Sequence, residues 1–438
     1  MNIENLKDYL LEQKTEKKPL VYPRELKVRP TSELITVIIG PRRAGKTFYF
    51  FYLMAQEENA LYLDFEDSRL TAVNGSEFRE IINIYLELFG KKPKRIFFDE
   101  VQVAEDWETG LRDLYNKMEY ELFLTGSSSK LLSREIATKL RGRTLTYWLL
   151  PLSFREYLEF NGMPQGGHTT KAAEAAIRAQ LQEYITFGGF PAIAKIKELP
   201  IGFAPDYERD KLLREYHEQM LLRDFIDRHQ IKNSALARFL FSFIIQNFSK
   251  EMSINKIYSA LQGQKQVRGS KDTDYDYVAK LQDTASVFFL GRYSRTVYLR
   301  ESWPKKVYVC DTGLTRIGRY DKDVGKLEEN TVFLELLRMR NIDPLLELFY
   351  YKQASQPQQE VDFVLKHGEE ITELIQVCHD MDDPDTKKRE ITSLINASAE
   401  LKCDKLTIIN WHYEAVEEHS GKQIRIIPLW KWLLKTPE

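Results

Sequence analysis

The chain has 438 residues, 43% of them hydrophobic and 29% charged. That balance supports a buried core and excludes a disordered tail or a collagen-like fibre; at ~150 residues per domain the length corresponds to about three domains. A net charge of −2 excludes a uniformly basic nucleic-acid coat, so any nucleic-acid surface has to be local.

The three cysteines, Cys310, Cys378 and Cys403, are scattered without a CxxC pair, so neither a disulfide framework nor a zinc site is implied, which fits a reducing cytosol. The N-terminus carries acids early and has no apolar core segment, so it is not a signal peptide. The longest apolar runs, such as Leu34–Ile39 and Phe239–Ile245, fall far short of the ~20 residues of a membrane span. A soluble cytoplasmic protein is the expectation.

In chain order, residues 1–30 predict a lead helix (Ile3–Gln13) and a charged, Pro-containing segment. From Ser32 the pattern is strand (LITVII), glycine turn (GPRRAGKT) and helix (TFYFFYLMAQEE). Further strands are expected at 60–65, 95–100 and 121–128, with helices at 80–89 and Glu105–Met118 between them. Strands alternating with helices predict a parallel sheet over 31–150, hence an α/β fold. Residues 151–230 predict a helical lobe, with helices at Ser153–Phe160, Ala172–Ile185 and Tyr207–His229 around FGGFPA (187–192). Residues 231–302 predict three short helices and then a hairpin. From 303 to 438 the expected order is strand, helix, three strands, helix, strand.

The residues Gly40, Pro41, Arg42, Arg43, Ala44, Gly45, Lys46 and Thr47 match G-x-x-x-x-G-K-[ST] in full, between a strand and a helix. Glycines let backbone N–H groups turn toward phosphate oxygens. Lys46 brings a positive charge to the β/γ-phosphates, Thr47 offers a hydroxyl to Mg²⁺, and the helix directs its positive end at the anion. About fifty residues on, the strand RIFFDE ends in Asp99 and Glu100 at the sheet edge where ligands bind in such folds. Asp99 is the expected Mg²⁺ partner and Glu100 the general base for the attacking water.

With this acid pair the chain resembles an AAA+-type P-loop ATPase. The segment Thr125, Gly126, Ser127, Ser128 follows the next strand, where such proteins carry a polar sensor of the γ-phosphate; Ser127 or Thr125 is the candidate. The segment Leu140, Arg141, Gly142, Arg143, the motif PLSFREYL (151–158), FGGFP (187–191) and Asp311-Thr-Gly-Leu314 strongly resemble a family of single-chain ATPases with a C-terminal domain of unknown function. That resemblance covers nearly the whole chain. It implies ATP rather than GTP, and no guanine-reading NKxD motif stands in the expected place. An arginine is needed near the γ-phosphate to neutralise developing charge; Arg143 is the first candidate, then Arg141, then Arg228. A finger acting between subunits would demand an oligomer, and one acting within the chain would not.

Residues 231–300 hold eleven basic and five acidic residues. Helix, loop, helix, hairpin is a winged-helix order, in which Lys265, Arg268, Lys271, Arg292 and Arg295 are candidates for contacts to DNA phosphates. Asp272, Asp274 and Asp276 on the same stretch oppose a DNA backbone, so a protein partner is the competing reading.

The last part resembles a restriction-endonuclease-like domain. There an acid on a first helix, an Asp on a strand and an acid-x-Lys pair on the next strand gather around Mg²⁺ to cleave phosphodiesters. The corresponding residues here are Glu335, Asp362, Gln376 and Cys378. Glutamine brings no charge to a hard cation and a thiol is a poor substitute for an ammonium. Glu360 or Glu373 are the available compensating acids. The expectation is a degenerate domain without cleavage.

The sequence therefore predicts Mg²⁺-dependent ATP hydrolysis that moves a winged-helix and a degenerate nuclease-like domain. Its rivals are an ATP-coupled DNA nuclease and a slow-turnover, nucleotide-gated binding switch.

Overall fold

The computed structural model describes residues 1–16, 19–126, 140, 142–163, 170–196, 205–262, 270–317, 323–353 and 359–435. They form two compact units, one of Met1–Pro151 with Asp283–Ala285, the other of Leu152–Gln282 with Ser286–Glu438. The fold is α/β, and among the described residues no helix is long and apolar enough to cross a membrane.

The first unit is built on a five-stranded parallel sheet: β1 (Ile35–Ile39), β2 (Ala60–Asp64), β3 (Arg95–Asp99), β4 (Glu121–Gly126) and β5 (Thr144–Trp148), in the order β2-β3-β4-β1-β5. Its central strands are apolar at almost every position because both faces are covered. Side chains alternate between two cores, as a strand's period of two requires. Val37, Ile39, Leu61, Leu63, Ile96, Phe98, Leu122 and Leu124 enter one core. Ile38, Tyr62, Phe97 and Phe123 enter the other.

The first core is closed by helices Phe78–Phe89 and Trp107–Tyr115 and by the N-terminal helix Ile3–Thr15, which inserts Leu6, Tyr9 and Leu10 at helical spacing. The second is closed by the helix Lys46–Met54, whose Phe50 meets Phe97 edge-on at 5.0 Å. The phosphate-loop helix is thus fixed to the sheet by aromatic packing directly beneath the loop.

The second unit begins with helices and continues into two sheets. Helices Phe154–Phe160, Lys171–Phe187 and Pro205–Gln219 come first, and the last of these runs into a π-helical stretch, Met220–Asp227. Helices Ser234–Gln246, Ile254–Gln262 and Lys271–Gln282 surround a small antiparallel sheet of β6 (Lys250–Met252), β7 (Val287–Leu290) and β8 (Lys305–Val309), in the order β6-β8-β7.

The expected hairpin over 286–300 is not present. After β7 the chain forms a short helix, Val297–Ser302, and the partner of β7 is β8. The run KKVYV buries Val307 and Val309 in the helical core, and that apolar strand takes the pairing edge. The expected boundary at 302 therefore falls between two strands of one sheet.

A six-stranded mixed sheet completes the unit: β9 (Leu346–Lys352), β10 (Glu360–His367), β11 (Glu370–Val377), β12 (Leu406–Asn410), β13 (Ala415–His419) and β14 (Lys422–Pro428), in the order β13-β14-β12-β11-β10-β9. Helices Val324–Ile342 and Pro384–Leu401 pack on it. Two strands follow the second helix beyond the one expected: β13 and β14 make a hairpin turning on Ser420 and Gly421, both at positive φ (53° and 76°). A two-residue turn of that hand matches the twist of its strands.

Two glycine motifs interlock in this unit. Asp311 accepts the amide of Gly189 at 2.7 Å and that of Gly313 at 2.9 Å. Gly188 has φ +84°, and a Cβ there would lie 1.6 Å from Asp311 Oδ1. Burial pushes the Asp311 carboxyl up to about 7 despite these amide donors. Replacing Gly188 by Ala adds backbone strain and displaces a buried acceptor, so the expected loss is about 3 kcal/mol. Chemical denaturation of Gly188→Ala checks it, and an unchanged midpoint would show that the junction does not hold the unit together.

Candidate nucleotide site and C-terminal acid cluster

The phosphate loop leaves β1 at Ile39 and enters its helix at Lys46. Gly40 is pressed against the residue that follows β5, where a Cβ would stand 2.1 Å from the Leu149 carbonyl oxygen. Gly45 precedes the helix at φ 96°, and Arg43 is also left-handed at φ 68°. Lys46 is buried, and its Nζ donates to the carbonyls of Gly40 (3.1 Å) and Pro41 (3.2 Å). The ammonium is thus folded over the loop that would surround a phosphate. Arg24, from the lead-in segment, braces the loop from outside by donating to the carbonyls of Ala44 (3.1 Å) and Leu150 (2.7 Å).

The acid pair follows at the end of β3, with β4 between it and β1. Asp99 is buried and gathers three hydroxyls. Thr47 Oγ1 donates to Oδ2 at 2.7 Å, Tyr62 Oη donates to the same oxygen at 2.8 Å, and Thr125 Oγ1 donates to Oδ1. Contact between the loop hydroxyl and this carboxylate is the arrangement that Mg²⁺ binding requires, so Thr47 and Asp99 fit a magnesium ion. Thr125 also accepts the Glu100 amide at 3.2 Å. Glu100 is held at φ +50°, and its carboxylate accepts from Gln102 Nε2. A non-glycine residue in that region is strained, which fits a functional turn.

Of the residues expected to sense nucleotide, Thr125 therefore joins the acid pair, while Ser127 and Arg141 lie outside the described residues. Arg143 is placed elsewhere in its unit. Its carbonyl accepts the Ile35 amide at 2.8 Å, at the start of β1, whereas the phosphate loop leaves the other end. Five residues at ~3.3 Å each put these ends about 16 Å apart. The Arg143 guanidinium lies over the Tyr115 ring at 5.3 Å. Of the two ways it could act, within its own chain or between subunits, the first is disfavoured: the parallel pairing of β1 and β5 carries it to the edge opposite the phosphate loop.

Sequence reading did not single out Arg24, Tyr62, Asp64 or Gln102. Asp64 ends β2 beside Asp99. Burial raises its carboxyl to about 6, against the lowering effect of the Glu66 amide, and the neighbouring Asp99 charge adds to the rise. The detectable signal was the aligned strand ends: ALYLD and RIFFD both finish in Asp.

In the second unit, Glu335, Asp362, Gln376 and Cys378, the residues expected at a degenerate nuclease-like centre, do not all come together. Asp362 and Gln376 do come together, the Asp362 amide donating to Gln376 Oε1 at 3.3 Å. Glu335 is paired instead with Arg155 and Arg338. Cys378 is buried in the hydrophobic core, its thiol directed at the Asp380 carbonyl, and burial pushes it up to about 12.

The acid that the first helix contributes is Glu329. Six residues from Glu335, it is about 240° around the helix, on another face. Lys306, on β8, stands among the acids: its Nζ is 3.0 Å from Glu329, 2.6 Å from Glu360 and 2.8 Å from Asp362. Tyr308 adds a hydroxyl to Glu329 at 2.7 Å. Gln376 spends its amide on Glu390 at 2.7 Å. Burial works against the Lys306 ammonium, but Asp362, Glu329 and the other neighbouring groups outweigh it and hold the lysine firmly protonated. Among the described residues, no group of three or more His, Cys, Asp or Glu side chains is placed to hold a metal ion.

Of the residues expected to contact nucleic acid, Lys265 and Arg268 lie outside the described residues. Lys271 begins its helix with its ammonium over the Tyr258 ring at 5.9 Å. Arg292 is corrected to a structural residue: it stacks on Trp303 at 4.0 Å and donates to the Lys352 carbonyl. Arg295 is exposed. Asp274, expected to oppose a DNA backbone, is buried.

Two predictions follow from these charges. Lys306→Ala leaves the buried Asp362 and the half-buried Glu329 and Glu360 without their ammonium and should cost about 3 kcal/mol; denaturant titration measures it, and adding Asp362→Asn should restore part of the loss. For Asp64, the folded value of about 6 lies above the unfolded 3.8. The folded chain holds that proton longer, so the contribution to stability is full below about pH 4 and is lost as pH rises through 6. Asp64→Asn should gain thermal midpoint relative to wild type on going from pH 4 to pH 7, and parallel pH curves would refute the shift.

Residues 32–158 match the model of an AAA domain, and residues 178–318 match that of a domain of unknown function (DUF8612). An uncharacterized protein of Methanocaldococcus jannaschii is 35% identical over 427 residues, covering 95% of this chain and 92% of its own. An uncharacterized protein of Haemophilus influenzae is 26% identical over 418 residues, covering 92% of this chain and 95% of its own. Among solved structures, the Orc1 protein of Aeropyrum pernix in complex with DNA is similar at 11% identity and a TM-score of 0.30, over 76% of this chain and 93% of that one, a likeness too low to carry argument. With its intact phosphate loop on a parallel sheet, and with that identity running through nearly the whole of both chains, this chain belongs to the family of the Methanocaldococcus jannaschii protein and carries an AAA-type P-loop domain.

Proposed function

We propose that the chain binds ATP with Mg²⁺ at Gly40–Thr47 and hydrolyses it, and that the nucleotide state drives a conformational change in the C-terminal domains. The observation that carries this reading is the Thr47–Asp99 contact at 2.7 Å beside an intact phosphate loop. Magnesium, when bound, supplies positive charge to the phosphates between which the bond breaks, and Thr47 and Asp99 would hold it.

The rest of the chemistry belongs to the chain. Lys46 exchanges the Gly40 and Pro41 carbonyls for phosphate oxygens, a charge-assisted interaction in place of two neutral ones. Glu100 takes the proton of the attacking water. Thr125 ties the two acids together by donating to Asp99 and accepting from the Glu100 amide, so the base and the metal-holding carboxylate move as one. An Arg143 that neutralises charge at the γ-phosphate would have to come from another copy of the chain.

For the second unit we favour binding over cleavage. The helix, strand, helix, helix, strand, short helix, strand order over 234–309, with sheet order β6-β8-β7, supports a winged helix whose partner is DNA or protein. The helix, three strands, helix, strand order over 324–410 supports a nuclease-like domain. Its centre has lost the acid and lysine at Gln376 and Cys378, and an internal ammonium, Lys306, stands among the carboxylates that remain.

Lys46→Ala should abolish nucleotide binding by calorimetry with Mg²⁺-ATP; undiminished turnover would sink the mechanism. Glu100→Gln should keep nucleotide affinity and slow hydrolysis by at least about a hundredfold, the scale of a lost general base; equal turnover would exclude Glu100 from that role. Plasmid incubated with the protein and Mg²⁺ or Mn²⁺ should remain intact, and nicking that disappears in Asp362→Ala would instead establish an active nuclease.

A further inference from the structure

The acid cluster of Lys306 borders a cavity of about 410 Å³ in the second unit. Its wall is made by Lys250 and Glu251 of β6, by Ser253 and Lys256 at the start of the helix Ile254–Gln262, and by Lys306 and Glu360. The volume lies in the range of about 300–1,000 Å³ that encloses small ligands, enough for one nucleotide unit.

The charges of the wall are unevenly matched. Glu251 is paired with Lys352 at 3.0 Å, and Glu360 with Lys306 at 2.6 Å and Lys352 at 3.5 Å. Both acids are thus neutralised from behind the wall or from its floor. Lys256 donates its Nζ to a main-chain carbonyl, that of Glu251, at 3.3 Å. A neutral carbonyl leaves the ammonium charge uncompensated, and Lys256 is exposed. Lys250 is exposed on the same rim. Ser253 Oγ accepts the Lys256 amide at 3.2 Å, which leaves the hydroxyl proton available to a ligand. The nine-residue helix that starts here adds the positive end of its dipole. The Lys256 ammonium and these donors line the rim, while the floor presents acceptors.

We propose that this cavity is a second nucleotide-binding site, separate from the phosphate loop. The phosphate is held by Lys250, Lys256 and the Ser253 hydroxyl, and the Glu360 carboxylate accepts from a sugar hydroxyl or a base N–H. The ligand is a nucleoside phosphate, either free or as the end of a nucleic-acid strand.

The test uses the full chain carrying Lys46→Ala, in EDTA, so that the phosphate loop contributes nothing. AMP is titrated by calorimetry, and a short fluorescent single-stranded oligonucleotide by anisotropy. One of the two probes should bind: AMP identifies a free nucleotide, and the oligonucleotide alone identifies a strand end. Lys250→Glu with Lys256→Glu should weaken that binding at least tenfold, and for a strand should lower the slope of log K against log salt by about 0.7 for each lysine lost. Lys388→Glu, an exposed change on the helix Pro384–Leu401, should leave it unaltered. Should the double variant fail to fold, Lys256→Gln alone gives the same comparison. The proposal is overturned if neither probe binds, if the rim variants bind as tightly as their parent, or if Lys388→Glu weakens binding equally.

Discussion

The candidate nucleotide site depends on one carboxylate. Asp99 receives hydroxyls from Thr47 on the phosphate-loop helix, Tyr62 on β2 and Thr125 on β4, while standing itself at the end of β3. A buried carboxylate demands partners, because the charge has left water. Here the demand is met by elements that converge only when the strands are in register: Asp64 opposite Asp99, and Phe98 opposite Leu124. A slip of one residue would turn the acid into a hydrophobic core and an aromatic ring toward the loop. Correct sheet assembly and assembly of the site are therefore the same event.

A second buried charge organises the other unit, with the opposite sign at its centre. Lys306 is almost fully buried, and three carboxylates compensate it. They come from the helix Val324–Ile342 and from β10, while the lysine comes from β8, so the cluster joins the three-stranded sheet to the six-stranded one. Asn330 strengthens the same junction by accepting the Val309 amide at 2.9 Å and donating to its carbonyl at 3.0 Å. An ammonium and a divalent metal differ in what they ask of oxygen ligands. The ammonium is satisfied by directed hydrogen bonds, whereas a metal needs an inner shell of oxygens at short range. With Gln376 in place of an acid, the cluster has the composition to satisfy the first demand.

Local pattern made the first unit largely legible. The phosphate loop, the acid pair and the strands around them follow from consecutive residues: apolar runs of five, a glycine turn, and carboxylates at a strand end. What the sequence could not show was which hydroxyls and cations approach from elsewhere. Tyr62 looks like any core aromatic until β2 is placed beside β3. Arg24 looks like part of a charged lead-in until its guanidinium is found on the Ala44 carbonyl. Resemblance points to Arg143 as the finger, yet β5 runs parallel to β1 and begins at the edge away from its own chain's phosphate loop. The wing failed for a related reason. A hairpin is inferred from adjacent residues, but the partner of β7 starts fifteen residues after it ends.

The acid cluster draws its cation from outside the stretch that holds Asp362 and Gln376. Resemblance to an acid-x-Lys pair is what places Gln376 and Cys378 beside the acids. The described strand ends at Val377, however, and Cys378 turns into the core. The ammonium that a motif search seeks two residues downstream arrives instead from β8, seventy residues upstream of Gln376. Charge balance is a property of the volume, not of the motif: carboxylates held together in a buried place require a cation, and any element that borders the place can supply it. Here an internal lysine holds the acids together. The cavity beside it then retains a polar wall on which new binding chemistry can be built.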